Sequence, residues 1–234
     1  MPMQHKSSAL ADLLLGIVIP SVILMKFSAD DALGARNALI EALAFPVTYG
    51  LYELIRYKVT NYIALLGFVS VLLTGGIGLL ELDSRWLAIK EAAIPGILGT
   101  AVLISVWINR PLIKVLVYNP KIFNTYKINQ ILEQKGLSTS FEKRLLNATY
   151  WLSGTFYFSA VMNYILATII VTSPSGSSEF NEELGRLTLL SYPVIAIPSM
   201  LMMLAIVYFL WRSAHTLTGL KLEEMLAPSL TDES

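Results

Sequence analysis

The sequence has no cysteine and only two histidines, His5 and His215. Without cysteine there can be no disulfide, no thiolate nucleophile and no Cys-ligated zinc or iron–sulfur centre. The two histidines lie near opposite ends of the sequence, so a histidine pair or metal cage would need those ends to meet. Charge is scarce as well. Asp, Glu, Lys and Arg make up 15% of the 234 residues, against about 25% in soluble domains. The 17 basic and 17 acidic residues cancel, so net charge draws the chain to no class of partner. No basic run is interleaved with aromatics, as a nucleic-acid face requires. The glycines at 75, 76 and 78 are not followed by Gly-Lys-Ser/Thr, which excludes a phosphate loop.

What is abundant is apolar. Hydrophobic residues reach 55%, with a mean hydropathy of +0.61. Six apolar segments stand out at 9–26, 35–55, 61–80, 86–108, 147–171 and 185–211. Each approaches the ~20 residues that carry a helix across ~30 Å of hydrocarbon. Backbone groups in lipid must find partners within their own segment, so each is read as a helix. The expected fold is all-α: a polytopic membrane bundle of six transmembrane helices, arranged as three tandem helical hairpins and forming a single integral membrane domain over 1–234. Lys and Arg set the orientation. Twelve of the seventeen fall on the side holding both termini, the 56–60 turn and the 109–146 connection. That side is expected to be cytoplasmic.

The 109–146 connection is not low-complexity. Residues 109–120 mix apolar side chains with Arg110 and Lys114, as a segment lying at headgroup level does. Residues 121–136 read as a helix that stops at Gly136, with Lys135 in its last turn. Thr139 and Glu142 have the spacing of a capping box for the fifth helix. The connection reads as a structured cytoplasmic linker or as a docking surface.

Two stretches repeat. "ALGARNALIEALAFP" (32–46) and "ELDSRWLAIKEAAIP" (81–95) both place Arg ten residues before Pro, as Arg36–Pro46 and Arg85–Pro95. Both place an ionisable residue five before it, Glu41 and Lys90. A looser third copy precedes Pro193. Repeats of this kind occur in transporters and in plain scaffolds.

The candidate polar site follows from charge in apolar surroundings. A charged residue at the centre of a span costs about 2.5–3.5 kcal/mol on insertion scales, so a partner is expected. Glu41, Lys90, Glu91 and Asn163 are the candidates, with Arg36, Arg85, Trp86, Asn181 and Glu183 in support. Opposite charge at equivalent repeat positions suggests a Glu41–Lys90 pair; interfacial charge beside a loop, with Lys90 snorkelling, is the plainer reading. Ala88, Ala92, Gly96 and Thr100 form a small-residue stripe suited to close helix contact. Helical geometry puts Glu91 at its edge and Lys90 beyond it. No nucleophile–base pair, metal-ligand set or cofactor motif presents itself, so no enzyme activity is expected.

"GFVSVLLTGGIGLLELDSRWLAIKEAAIP" (67–95) resembles the intracellular septation protein A (YciB) family of bacterial inner-membrane proteins. So do "LLNATYWLSGTFYFSAVMNYILA" (145–167) and "EFNEELGRLTLL" (179–190). The resemblance implies a bacterial inner-membrane location and a role in septation or envelope maintenance, with other envelope or division membrane proteins as partners. It implies no reaction. Two readings therefore stand: a membrane scaffold of that kind, or a small-solute or ion transporter using its embedded charges. In both, the lipid bilayer is the constant partner and nucleic acid is not one.

Overall fold

The structure, a computed structural model, describes residues 14–57 and 62–227, with the side chains of 15, 53–57 and 62–68 left aside. The start of the first expected segment with Asp12, most of the 56–60 turn and a Glu53–Arg56 pair lie outside that description. The described residues are mostly helical and contain no strand. Their elements are α1 (Ile19–Phe27), preceded by a π-helical turn over Leu14–Val18, then α2 (Gly34–Tyr57), α3 (Tyr62–Leu79) and α4 (Arg85–Trp107). There follow α5 (Ile113–Leu116), α6 (Thr125–Gln134), α7 (Ser138–Ile170) and α8 (Ser178–Ser191). A second π-helical turn over Tyr192–Ala196 leads to α9 (Ile197–Thr218) and α10 (Leu222–Met225).

Three helices are long and apolar enough to cross a membrane: Arg85–Trp107, Ser138–Ile170 and Ser178–Thr218. The shortest, at 23 residues, is about 35 Å long at ~1.5 Å per residue. Gly16–Phe27 and Val69–Leu79 are shorter apolar helices. Pro46 and Pro95 sit inside α2 and α4, and Pro193 falls in the second π-helical turn, where a missing N–H is accommodated by altered hydrogen bonding.

The chain folds into two compact units, one of residues 1–94 and 160–196, the other of 95–159 and 197–234. In the first, Leu24 of α1, Leu39 and Ala42 of α2, Ile77 of α3, Leu87 of α4 and Phe180, Leu184 and Leu187 of α8 share one core. Glycine lets these helices approach. A Cβ on Gly75 would lie 2.7 Å from Leu43 Cδ1, and one on Gly78 would overlap Leu39. A Cβ on Gly185 would lie 2.9 Å from the Ser21 carbonyl oxygen, so α8 meets the backbone of α1. Asn181, fully buried, fastens the same corner: its Nδ2 donates to Ser28 Oγ (3.1 Å) and to the Ala35 carbonyl (2.7 Å).

The second unit shows that the 109–146 connection is more than a linker. Ile113, Val117, Tyr118, Phe123, Ile128, Leu132, Phe141 and Leu145 form a core with Leu210 of α9 and Met225 of α10. Ile128 and Leu132 are four apart, one face of the amphipathic α6. Asn124 caps that helix by accepting from the Lys127 N–H, and Gly136 ends it with φ +66°. Lys135 Nζ then donates to the Thr218 carbonyl at 2.7 Å, closing the C-terminal end of α9. Residues 222–227 are tied across: Asn124 N donates to the Met225 carbonyl and Ala227 N to the Ile122 carbonyl, with an antiparallel bridge between Phe123 and Leu226. The expected capping box is not what Glu142 makes. α7 begins at Ser138, and the Glu142 carboxylate pairs with Lys114 at 2.6 Å instead. In this unit α4 meets α7 at Thr100 of the small-residue stripe, whose Oγ1 lies 2.8 Å from the Tyr157 hydroxyl, and at the adjacent Gly99, where an added Cβ would lie 3.2 Å from Phe156 Cβ and whose carbonyl accepts from Ser153 Oγ.

Candidate functional site

α3 and α4 both belong to the first unit where they meet. On α3, Ser70 and Thr74 are four residues apart and so lie on one face. Thr74 Oγ1 donates to the Ser70 carbonyl at 3.0 Å, which turns its lone pairs outward. Opposite them on α4 stands Lys90. Its ammonium donates to Thr74 Oγ1 (2.8 Å) and Ser70 Oγ (3.1 Å) and pairs with Glu91 Oε1 (2.7 Å). An ammonium has three N–H groups, and each has a partner here. Lys90 is 8% exposed, its neighbour Glu91 29%. Consecutive helical residues diverge by about 100°. The long lysine stem curls back to reach Glu91 because α3 holds its head.

The Glu91 carboxylate faces a cavity of about 140 Å³. Gly16 and Ser21 contribute to its wall from the first turns, Ala42 and Pro46 from α2, Ser70 and Thr74 from α3, Leu184 and Thr188 from α8. Three hydroxyl residues besides Thr74 therefore line it. Ser21 is 1% exposed, and its Oγ has no hydrogen-bond partner among the described residues. Thr188 Oγ1 donates to the Leu184 carbonyl, leaving acceptor capacity only. Proline adds acceptors. Pro46 and Pro95 lack the N–H that would bond the carbonyl four residues earlier, and those residues are Ala42 and Glu91, both on the cavity wall.

The expected pairing of Glu41 with Lys90 is not found. Glu41 is exposed on α2, and no ion pair joins the two among the described residues. The repeat places them equivalently along the chain, but α2 and α4 present that position differently. It is the next position, Ala42 and Glu91, that both helices turn to the cavity. Lys90, expected beyond the contact edge, is instead the more buried of the two charges because α3 packs on that side. Arg36, Arg85 and Trp86 are exposed. The Arg85 backbone N–H donates to Asp83 Oδ1 at 2.8 Å. Asn163 is half-buried on α7 and engaged, but does not line the cavity. Asn181 braces α1 and α2. Glu183 brackets the loop after α7: Thr172 and Ser173 each donate a backbone N–H and a hydroxyl to its carboxylate, at 2.9–3.1 Å.

Sequence reasoning missed Ser21, Ser70, Thr74 and Thr188. A signal existed for two of them, the Ser-x-x-x-Thr spacing inside an apolar run at 70–74. No family model matches the chain, and neither do any curated protein or solved structure.

Proposed function

We propose that the chain is a multi-pass protein of the bacterial inner membrane that passes a small solute or ion through the polar site of its first unit. In this reading six helices cross the bilayer as three hairpins. The 109–146 side faces the cytoplasm, as the Lys/Arg count favours. The exposed Trp107, Ile108, Val115 and Leu116, flanking Arg110 and Lys114, suit the headgroup region. The single observation that carries the reading is the cavity reaching the Glu91 carboxylate. Charge within apolar helices is costly and belongs beside protein or a polar cavity, and Glu91 has both. The test is flux into vesicles holding the purified protein. Entry of a panel of small solutes and ions should exceed that of protein-free vesicles, and Glu91→Leu should abolish the excess. Equal entry with and without protein would overturn the reading.

A second reading is favoured by Lys90, whose donors are all occupied as in a purely structural lock. It is a membrane scaffold with a septation or envelope role, bound to other envelope or division membrane proteins, as the resemblance of 67–95, 145–167 and 179–190 implies. Crosslinking in cells should then recover such proteins specifically; recovery of abundant bystanders alone would count against it.

A further inference from the structure

From the make-up of the cavity wall we infer that the site takes a small, uncharged, hydrogen-bond-donating solute, of the polyol or amide class, rather than an inorganic ion. This rests on the transport reading above and narrows it. The argument starts from charge. The wall presents one carboxylate, Glu91, and directly behind it the Lys90 ammonium, 2.7 Å away. The two cancel, so a cation entering meets Lys90's repulsion and an anion meets Glu91's. In a low-dielectric surrounding neither would be favoured over water.

What the wall offers instead is hydrogen bonding, and it is lopsided. Glu91 Oε1 is committed to Lys90, while the carboxylate as a whole accepts and never donates when ionised. Thr74 and Thr188 have each given their hydroxyl proton to a backbone carbonyl, at 3.0 Å in both cases. The carbonyls of Ala42 and Glu91 lose their helical donors to Pro46 and Pro95. Ser21 Oγ, buried and without a partner among the described residues, can both donate and accept. A buried hydroxyl left so costs free energy that a bound partner recovers. The complement of many acceptors is a molecule bearing several N–H or O–H groups. The cavity, at about 140 Å³, has room for several waters, each needing about 10–15 Å³. It therefore suits a solute of only a few heavy atoms.

The experiment uses the full chain in vesicles and two sets of probes: glycerol and urea, followed by light scattering after an osmotic step, and sodium, potassium and chloride, followed by ion-sensitive dyes. Glycerol or urea should enter faster than into protein-free vesicles, with no gain for the ions. Ser21→Ala should slow the entry by up to about tenfold, the equivalent of a hydrogen bond near the upper end of its usual range, while Ser21→Thr, which keeps the hydroxyl, should retain it. Thr188→Val, which removes an acceptor contributed by α8, is the second variant should changes at Ser21 prevent folding; it too should slow entry. Ion entry without glycerol or urea entry would overturn the inference and leave transport standing. Entry of neither would overturn both. Faster glycerol or urea entry that Ser21→Ala and Thr188→Val leave unchanged would remove the solute from this cavity and overturn the inference.

Discussion

Replacing Glu91 by Gln leaves the Lys90 ammonium where it is, held by Ser70 and Thr74, but without a counter-charge. Removing one partner of a buried ion pair costs about 3–5 kcal/mol, whereas replacing both by apolar groups of similar size is often neutral. Lys90 is 8% exposed and Glu91 29%, so the low end applies, about 3 kcal/mol for Glu91→Gln. Lys90→Met leaves the carboxylate with access to the cavity, so its loss should be smaller, about 1–2 kcal/mol, within the range of a charged group's lost hydrogen bonds. The double change Lys90→Met with Glu91→Leu removes both charges and keeps the volume. It should return to within about 1 kcal/mol of the parent, which makes the coupling large and favourable. The assay is reversible unfolding of the purified protein in mixed micelles as the denaturing detergent fraction rises. If the double variant loses as much as Lys90→Met and Glu91→Leu lose singly, added together, the two side chains do not depend on each other and the reasoning about this pair fails.

Two other outcomes follow from the geometry. Gly185→Val should destabilise by about 1–3 kcal/mol or more, since overpacking a filled contact costs that much and the obstacle is the Ser21 carbonyl, which is backbone; unfolding midpoints of Gly185→Ala and Gly185→Val compared with Gly154→Ala, where nothing lies within 4 Å, check it. The Glu224 carboxyl is held below its usual range, first by the hydrogen bond from the Lys221 N–H and then by Lys127. A lowered acid contributes stability above its unfolded value, and that contribution is lost as pH falls through the folded one. The tie of residues 222–227 to α6 should therefore loosen on acidification below the ordinary carboxylate range and not on the alkaline side, and Glu224→Gln should remove that dependence. Amide exchange at Met225–Ala227 against pH measures it; protection that ignores pH would contradict the assignment.

Helix content was legible because apolar runs near membrane length leave the backbone no other solution. The repeat was legible too, but only in register. Sequence places Glu41 and Lys90 on a par, and cannot say which way α2 and α4 are rotated about their axes. That rotation depends on what packs alongside. α3 claims the Lys90 side of α4, while Glu41 is left facing outward on α2. The prolines carried better information than the charges did: each marks the residue four before it, and both such residues reach the cavity. Ser21 and Thr188 were invisible because an isolated hydroxyl in an apolar run most often bonds its own helix, as Thr188 does. Only the three-dimensional surroundings separate it from one that does not. The core of the 109–146 connection was hidden for a different reason. Half of its partners come from far along the chain, and amphipathicity in α6 says that a face is covered without saying by what.

That last arrangement constrains how the molecule is made. Lys127 and Glu224, which pair at 2.9 Å, are 97 positions apart. Chains emerge from the ribosome in order, and their earlier parts fold first. Here the earlier part cannot finish: the core that holds Phe123, Ile128 and Leu132 lacks Ile206, Leu210, Ala214 and Met225 until the apolar helices after it have been translated. During that interval a sticky surface stands open to chaperones and to neighbouring nascent chains. Truncation just before residue 222 would make the interval permanent.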